Sequence, residues 1–131
     1  MAEEIPEEYL DLLDEEFATV ATLLPDGNLH QTVTWVDYDG EHVLINTVEG
    51  RRKVKNARGH PHASVSVLDP DDPSRYLSVS GEVVEVTAEG AAEHANEMGR
   101  KYYDEENFMD RYDDDVVRVL IRIRPDNVIT H

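Results

Sequence analysis

The sequence predicts a mainly β domain of the α+β kind: about six antiparallel strands curled into a small barrel, with two or three helices on its outside. Two observations predict this. Apolar and β-branched residues recur in short runs separated by turn residues, whereas helical spacing is confined to three stretches. The length of 131 residues and the 40% hydrophobic content fit one domain, residues 1–131, because single domains usually span about 100 to 200 residues. Strands at short spacing with few helices favour an antiparallel barrel.

The first element is a short amphipathic helix. Pro6, Glu7 and Glu8 suit a helix start, and Tyr9, Leu12, Leu13 and Phe17 follow at a spacing near 3.6. Phe17 to Leu23 is rich in β-branched residues; Pro25-Asp26-Gly27-Asn28 supplies a turn, and Leu29 to Tyr38 returns as the second strand. Asp39-Gly40 makes another tight turn before a strand from Glu41 to Thr47. A helix over 52–58 stops at Gly59 and Pro61. Ala63 to Leu68 alternates as a strand, and Asp69 to Pro73 is an acidic loop. Tyr76 to Thr87 is a long strand in which Gly81 marks a bulge or bend. Ala88 to Tyr103 is Ala-rich and helical, and Asp104 to Asp115 is a loop with one helical turn around Phe108 and Met109. Val116 to Ile123 alternates strictly, Pro125 ends it, and Val128 to Thr130 adds a short final strand.

One stretch stands out chemically. The chain has 12 Lys and Arg against 29 Asp and Glu, yet Arg51, Arg52, Lys53, Lys55 and Arg58 fall within a single short segment. That segment follows a strand and opens a helix after Glu49-Gly50. Unpaired N–H groups, the helix dipole and side-chain cations then converge on one point, as phosphate-binding sites require.

Charge excludes some functions. At a net −17 the chain lacks the broad basic footprint that nucleic-acid binding needs. No apolar run approaches the ~20 residues that span a bilayer, and the N-terminus has no signal-peptide pattern, so a cytoplasmic protein is expected. Without cysteine there is no disulfide, thiolate metal site or Cys nucleophile. The scarcity of Lys beside abundant Asp and Glu resembles proteins of salt-in halophilic archaea, in which a Debye length of about 3 Å at 1 M salt screens surface repulsion.

Taken together, the order of features resembles the pyridoxamine 5′-phosphate oxidase-like split β-barrel superfamily (the FMN-binding split barrel). Within it, the chain is similar to the deazaflavin-dependent oxidoreductases that use coenzyme F-420. The likeness rests on Phe17 to Leu23 after the N-terminal helix, Pro25-Asp26-Gly27 with Gln31-Thr32-Val33-Thr34-Trp35, Thr47-x-x-Gly50-Arg51-x-Lys53-x-x-Asn56, Pro61, Arg75 to Gly81, and Arg118 to Pro125. It departs in having Ala57 where the family often has Leu, which concerns helix packing. The resemblance implies a six-stranded antiparallel split barrel with peripheral helices, forming a homodimer with cofactor sites at the subunit interface. It also implies hydride transfer between the deazaflavin and a small organic acceptor. Arg51, Lys53 and Asn56 inherit the grip on the cofactor phosphate, Thr47 lies beside them, and Gln31, Thr32 and Val33 offer backbone groups to the ring edge. FMN as cofactor, in a pyridoxamine 5′-phosphate oxidase-like oxidoreductase, or a non-catalytic flavin- or tetrapyrrole-binding protein are the alternatives.

The remaining signals read as structural. Trp35 is expected in the core or a dimer interface. His60-Pro61-His62 lacks a third ligand, so no metal site is expected; His30 and His42 read as surface or core histidines. Arg118, Arg122 and Arg124 are expected to pair with the acidic surface, and the carboxylates of 104–115 lack Ca²⁺-loop spacing. No nucleophile, triad or acid/base pair appears, so no catalytic residue is named.

Overall fold

The structure, a computed structural model, describes residues 2–131. Its strands are β1 (Phe17–Leu23), β2 (Leu29–Trp35), β3 (Asp37–Tyr38), β4 (Val43–Val48), β5 (His62–Leu68), β6 (Tyr76–Thr87), β7 (Arg118–Ile123) and β8 (Asn127–Thr130). Two α-helices, α1 (Arg52–Gly59) and α2 (Ala91–Tyr103), and two 3₁₀ helices, Glu7–Asp14 and Phe108–Arg111, complete the described residues. The expected six strands correspond to the six longer ones, β8 corresponds to the expected short final strand, and only β3 is added.

The strand order is β2-β1-β5-β6-β7-β4-β3, with β8 on β6, and every pairing is antiparallel. β6 is the hinge of this arrangement. Its first half pairs with β5 and β8, its second half with β7, and the register shifts between Val83 and Glu85 as it passes from one half-sheet to the other. β2 and β3 lie at opposite ends of the order, so the sheet does not close and the fold is a split barrel.

Alternation decides which face is core. Val20, Val65, Val67, Val79, Ile45, Ile121 and Ile123 are buried on the inner face, covered by Leu12 and Leu13 of the first 3₁₀ helix and by Val54 and Ala57 of α1. Each such side chain contributes roughly 1.5 to 3 kcal/mol relative to exposure. A second, smaller cluster of Trp35, Ala95, Met98 and Phe108 fills the space between β2, α2 and the second 3₁₀ helix, which puts Trp35 in core packing as expected.

Several boundaries differ from the sequence reading for identifiable reasons. The N-terminal helix is a 3₁₀ helix, which eclipses Tyr9 and Leu12, three apart. Phe17 is not on its face: it begins β1 opposite Trp35 and is exposed. The single strand expected over Leu29 to Tyr38 is broken at buried Val36, because β2 pairs with β1 whereas β3 pairs with β4 in the other half. The irregularity in β6 falls at Val83 to Glu85; Gly81 serves a different purpose, since a Cβ there would collide with the Arg124 carbonyl oxygen. α2 starts at Ala91 rather than Ala88, after left-handed Gly90 (φ 75°).

Candidate functional site

The basic segment folds as its sequence requires. β4 ends at Val48, Gly50 turns the chain at φ 96°, and Arg51 is the extended residue from which α1 departs. No side chain caps α1 and no acidic residue occupies its first turn; the Val54 and Lys55 N–H groups donate to the Arg51 carbonyl, which leaves the Arg52 and Lys53 amides for another partner. Arg51, Arg52 and Lys53 line a cavity of about 360 Å³ with His30 and Thr32 of β2.

The charges in this cavity are not neutralised by the protein. Most of the other cations find carboxylates: Arg58 with Glu49, Arg75 with Asp11 and Asp69, Lys101 with Asp14, Arg111 with Glu105, Arg122 with Asp39 and Glu85, and Arg124 with Glu82 and Asp126, while exposed Arg100 donates to the Glu106 backbone carbonyl. Among the described residues, none of Arg51, Arg52, Lys53, Lys55 or Arg118 forms an ion pair, in a chain with 29 acidic residues. Lys53 is only 6% exposed, and burial, followed by the like charges of Arg51 and Arg118, lowers its ammonium pKa below the usual value. A buried charge without a partner is costly, and an anion removes that cost. Other polar groups of the cavity are also unsatisfied: the Nδ1 atom of His30 and the hydroxyl of Thr32 are buried without a hydrogen-bond partner. Cations, uncapped amides and orphaned polar atoms on one cavity match the donor set of a phosphate group.

The residues named from sequence fall into three groups. Arg51, Lys53 and Thr32 meet at the cavity. Lys53 reaches it from the first turn of α1. Asn56 is 2% exposed and turned inward: its amide donates to the Thr22 hydroxyl (3.1 Å) and its carbonyl oxygen accepts from Arg52 Nε (3.1 Å). It therefore fixes α1 against β1 and aims Arg52. Thr47 is buried near the end of β4, on the same face as Val43 and Ile45. The Gln31 side chain is exposed and Val33 lines a groove with Phe17, Thr19 and Tyr76, on the face opposite Thr32. The two share with Thr32 a strand that pairs only with β1 among the described residues, so one backbone edge of β2 is open.

Three residues escaped the sequence reading. Arg52 belongs to the noted cluster but carried no family role. His30 read as an ordinary strand histidine; its alternation with Thr32 along β2, facing the cation cluster across the cavity, is visible only in three dimensions. Arg118 was expected to pair with surface carboxylates as Arg122 and Arg124 do. Instead it is buried, and its Nε donates to the Asn46 side-chain oxygen at 2.8 Å.

A family model, pyridoxamine 5′-phosphate oxidase, matches residues 5–131. No curated protein matches the chain. Among solved structures it is similar to an F-420 reductase, at 31% identity and a TM-score of 0.80, covering 95% of this chain and 98% of that one. It is also similar to the conserved hypothetical protein Rv2991 from Mycobacterium tuberculosis, at 23% identity and a TM-score of 0.75, covering 98% and 85% of the two chains. The heme storage protein HutZ from Vibrio cholerae shares the fold at 14% identity and a TM-score of 0.68, with 98% and 95% covered.

Proposed function

The chain belongs to the pyridoxamine 5′-phosphate oxidase family, and from that premise we propose that it is an oxidoreductase using the deazaflavin coenzyme F-420. The observation that carries this reading is the cavity of Arg51, Arg52 and Lys53, whose charges form no ion pair with any carboxylate among the described residues of an acidic chain. The 31% identity to an F-420 reductase over nearly the whole chain favours the deazaflavin over FMN.

In this reading Arg51, Arg52 and Lys53 bind the cofactor phosphate, with hydrogen bonds from Thr32 and His30. Charge-assisted hydrogen bonds contribute roughly 1.5 to 3 kcal/mol each, so three supply much of a micromolar affinity, about 8 kcal/mol. Asn56 positions Arg52, Thr47 supports the strand end, and the open edge of β2 at Gln31, Thr32 and Val33 faces the polar rim of the ring. When bound, the deazaflavin supplies hydride transfer to or from a small organic acceptor. The chain's part is to fix its cofactor in orientation and exclude water.

We also read the working form as a homodimer in a salt-rich cytoplasm. Phe17, Leu29, Val33, Leu68, Tyr76 and Ile129 are exposed on the outer face of β1, β2, β5, β6 and β8, and an apolar sheet face of that extent favours burial against a second copy.

Equilibrium dialysis in molar KCl against coenzyme F-420, FMN and heme tests the assignment. Micromolar retention of the deazaflavin, with weaker FMN and heme, is expected. Preference for FMN moves the protein to the flavin branch, and preference for heme to a storage role.

A further inference from the structure

Arg118 starts β7 opposite Val48, where β4 ends and the basic segment begins. It is 9% exposed, its like charge disfavours the Lys53 ammonium, and the Arg51 charge in turn bears on Arg118. Buried arginines are ordinarily held by carboxylates. Here the partner is an amide, and the amide is itself held. Asn46 accepts from Arg118 Nε with its oxygen (2.8 Å), so its nitrogen faces the Ala91 carbonyl (2.8 Å) and His94 Nδ1 (3.0 Å). With Nδ1 accepting from Asn46, the other ring nitrogen of His94 is the donor to Asp37 Oδ2, at 2.9 Å. Along this chain of hydrogen bonds the first carboxylate, Asp37, is two side chains removed from the guanidinium, and among the described residues Arg118 forms no ion pair. The remaining neighbours are the Phe108 ring, with its centroid 5.9 Å from Arg118 Cζ, and Tyr112, with its ring at 5.8 Å and its phenol a further hydrogen-bonding partner; both favour a cation without supplying a carboxylate.

We propose that Arg118 is a further anion-binding residue of the Arg51–Lys53 site, and that Asn46, fixed by His94 and Asp37, is the positioning residue that aims it while leaving its charge available. The proposal rests on reading the cavity as a phosphate site, and it adds a cation from the far half-sheet to those of α1. The phosphate is then held from both halves of the split barrel, β7 on one side and β2 with α1 on the other. A ligand there ties the two half-sheets together.

The test measures how much the phosphate adds to binding. Affinities for coenzyme F-420 and for its deazaflavin chromophore lacking the phosphate-bearing tail are compared by calorimetry, and their ratio isolates the anion. Arg118→Gln is expected to lower that ratio about tenfold, as loss of one charge-assisted contact should. Arg122→Gln, which changes net charge equally at an arginine already paired with Asp39 and Glu85, is expected to leave it unchanged. Arg118→Lys, which keeps charge without the fork that Asn46 engages, is expected between the two. A wild-type ratio in Arg118→Gln overturns the proposal, as does an equal fall in Arg122→Gln. Should Arg118→Gln not fold, Arg118→Lys decides: a several-fold fall supports the proposal and a wild-type ratio overturns it. Failure of the underlying site reading looks different, because the ratio would then be near one in the wild type and insensitive to Arg51→Ala.

Discussion

Burying Lys53 beside Arg51 and Arg118 penalises its charged form, and the sign of the consequence is fixed. Its folded-state pKa is lowered, so between that value and the unfolded 10.5 the unfolded chain binds more protons and stability rises with pH. Ligand affinity runs the other way. An anion prefers the ammonium, so affinity is level at low pH and falls as pH rises through the depressed Lys53 pKa; calorimetric binding curves across alkaline pH check this, and Lys53→Met removes the dependence. The same substitution is expected to leave stability unchanged or higher by about 1 kcal/mol in urea titrations, because it deletes an unpaired buried charge. Arg51 and Lys53 were legible in the sequence because clustering against a −17 background is a local signal. Arg118 and His30 were not. What distinguishes Arg118 from Arg122 is its partner, an amide instead of two carboxylates, and partners 72 and 37 or more residues away leave no trace in local spacing.

At the scale of elements, the bounds of β6 are legible in the sequence, since a strand pattern interrupted only by Gly81 runs from Tyr76 to Thr87. The function of Gly81 was not. Glycine in a strand signals either a bulge or a close approach, and only the return of the chain at 124–126 decides for the second. Gly81→Ala forces the backbone around Arg124 and Asp126 aside and is expected to cost roughly 1 to 3 kcal/mol in chemical denaturation, the range for overpacking. The break between β2 and β3 was hidden for a similar reason: both read as extended, and their separation at Val36 reflects which half-sheet each joins. Helix α1 was placed within one residue, yet the inward turn of Asn56 was not foreseen. Asn56→Ala leaves Thr22 without its partner and frees Arg52, and is expected to lower both melting temperature and cofactor affinity, the former by about 1 to 3 kcal/mol equivalent.

For the whole molecule, charge and exposed apolar surface make separate predictions. A chain at −17 repels itself, and salt screens that repulsion, so thermal stability should climb steeply with KCl up to molar concentrations. A salt-independent melting temperature would remove the halophilic reading. The outer sheet face carries Val33 at 67% exposure near Phe17 and Tyr76, and Val33→Lys is expected to convert a dimer to a monomer in sedimentation velocity, with far-UV circular dichroism unchanged.

The central claim is that cations left unneutralised by an acidic chain hold the phosphate of a deazaflavin. The most direct measurement is the affinity of the Arg51→Ala, Lys53→Ala double variant for coenzyme F-420, set beside the wild type by calorimetry in molar KCl. Micromolar binding is expected in the wild type and a loss of about a hundredfold or more in the variant, near the sum of two charge-assisted contacts. Equal affinity in the two proteins would contradict it.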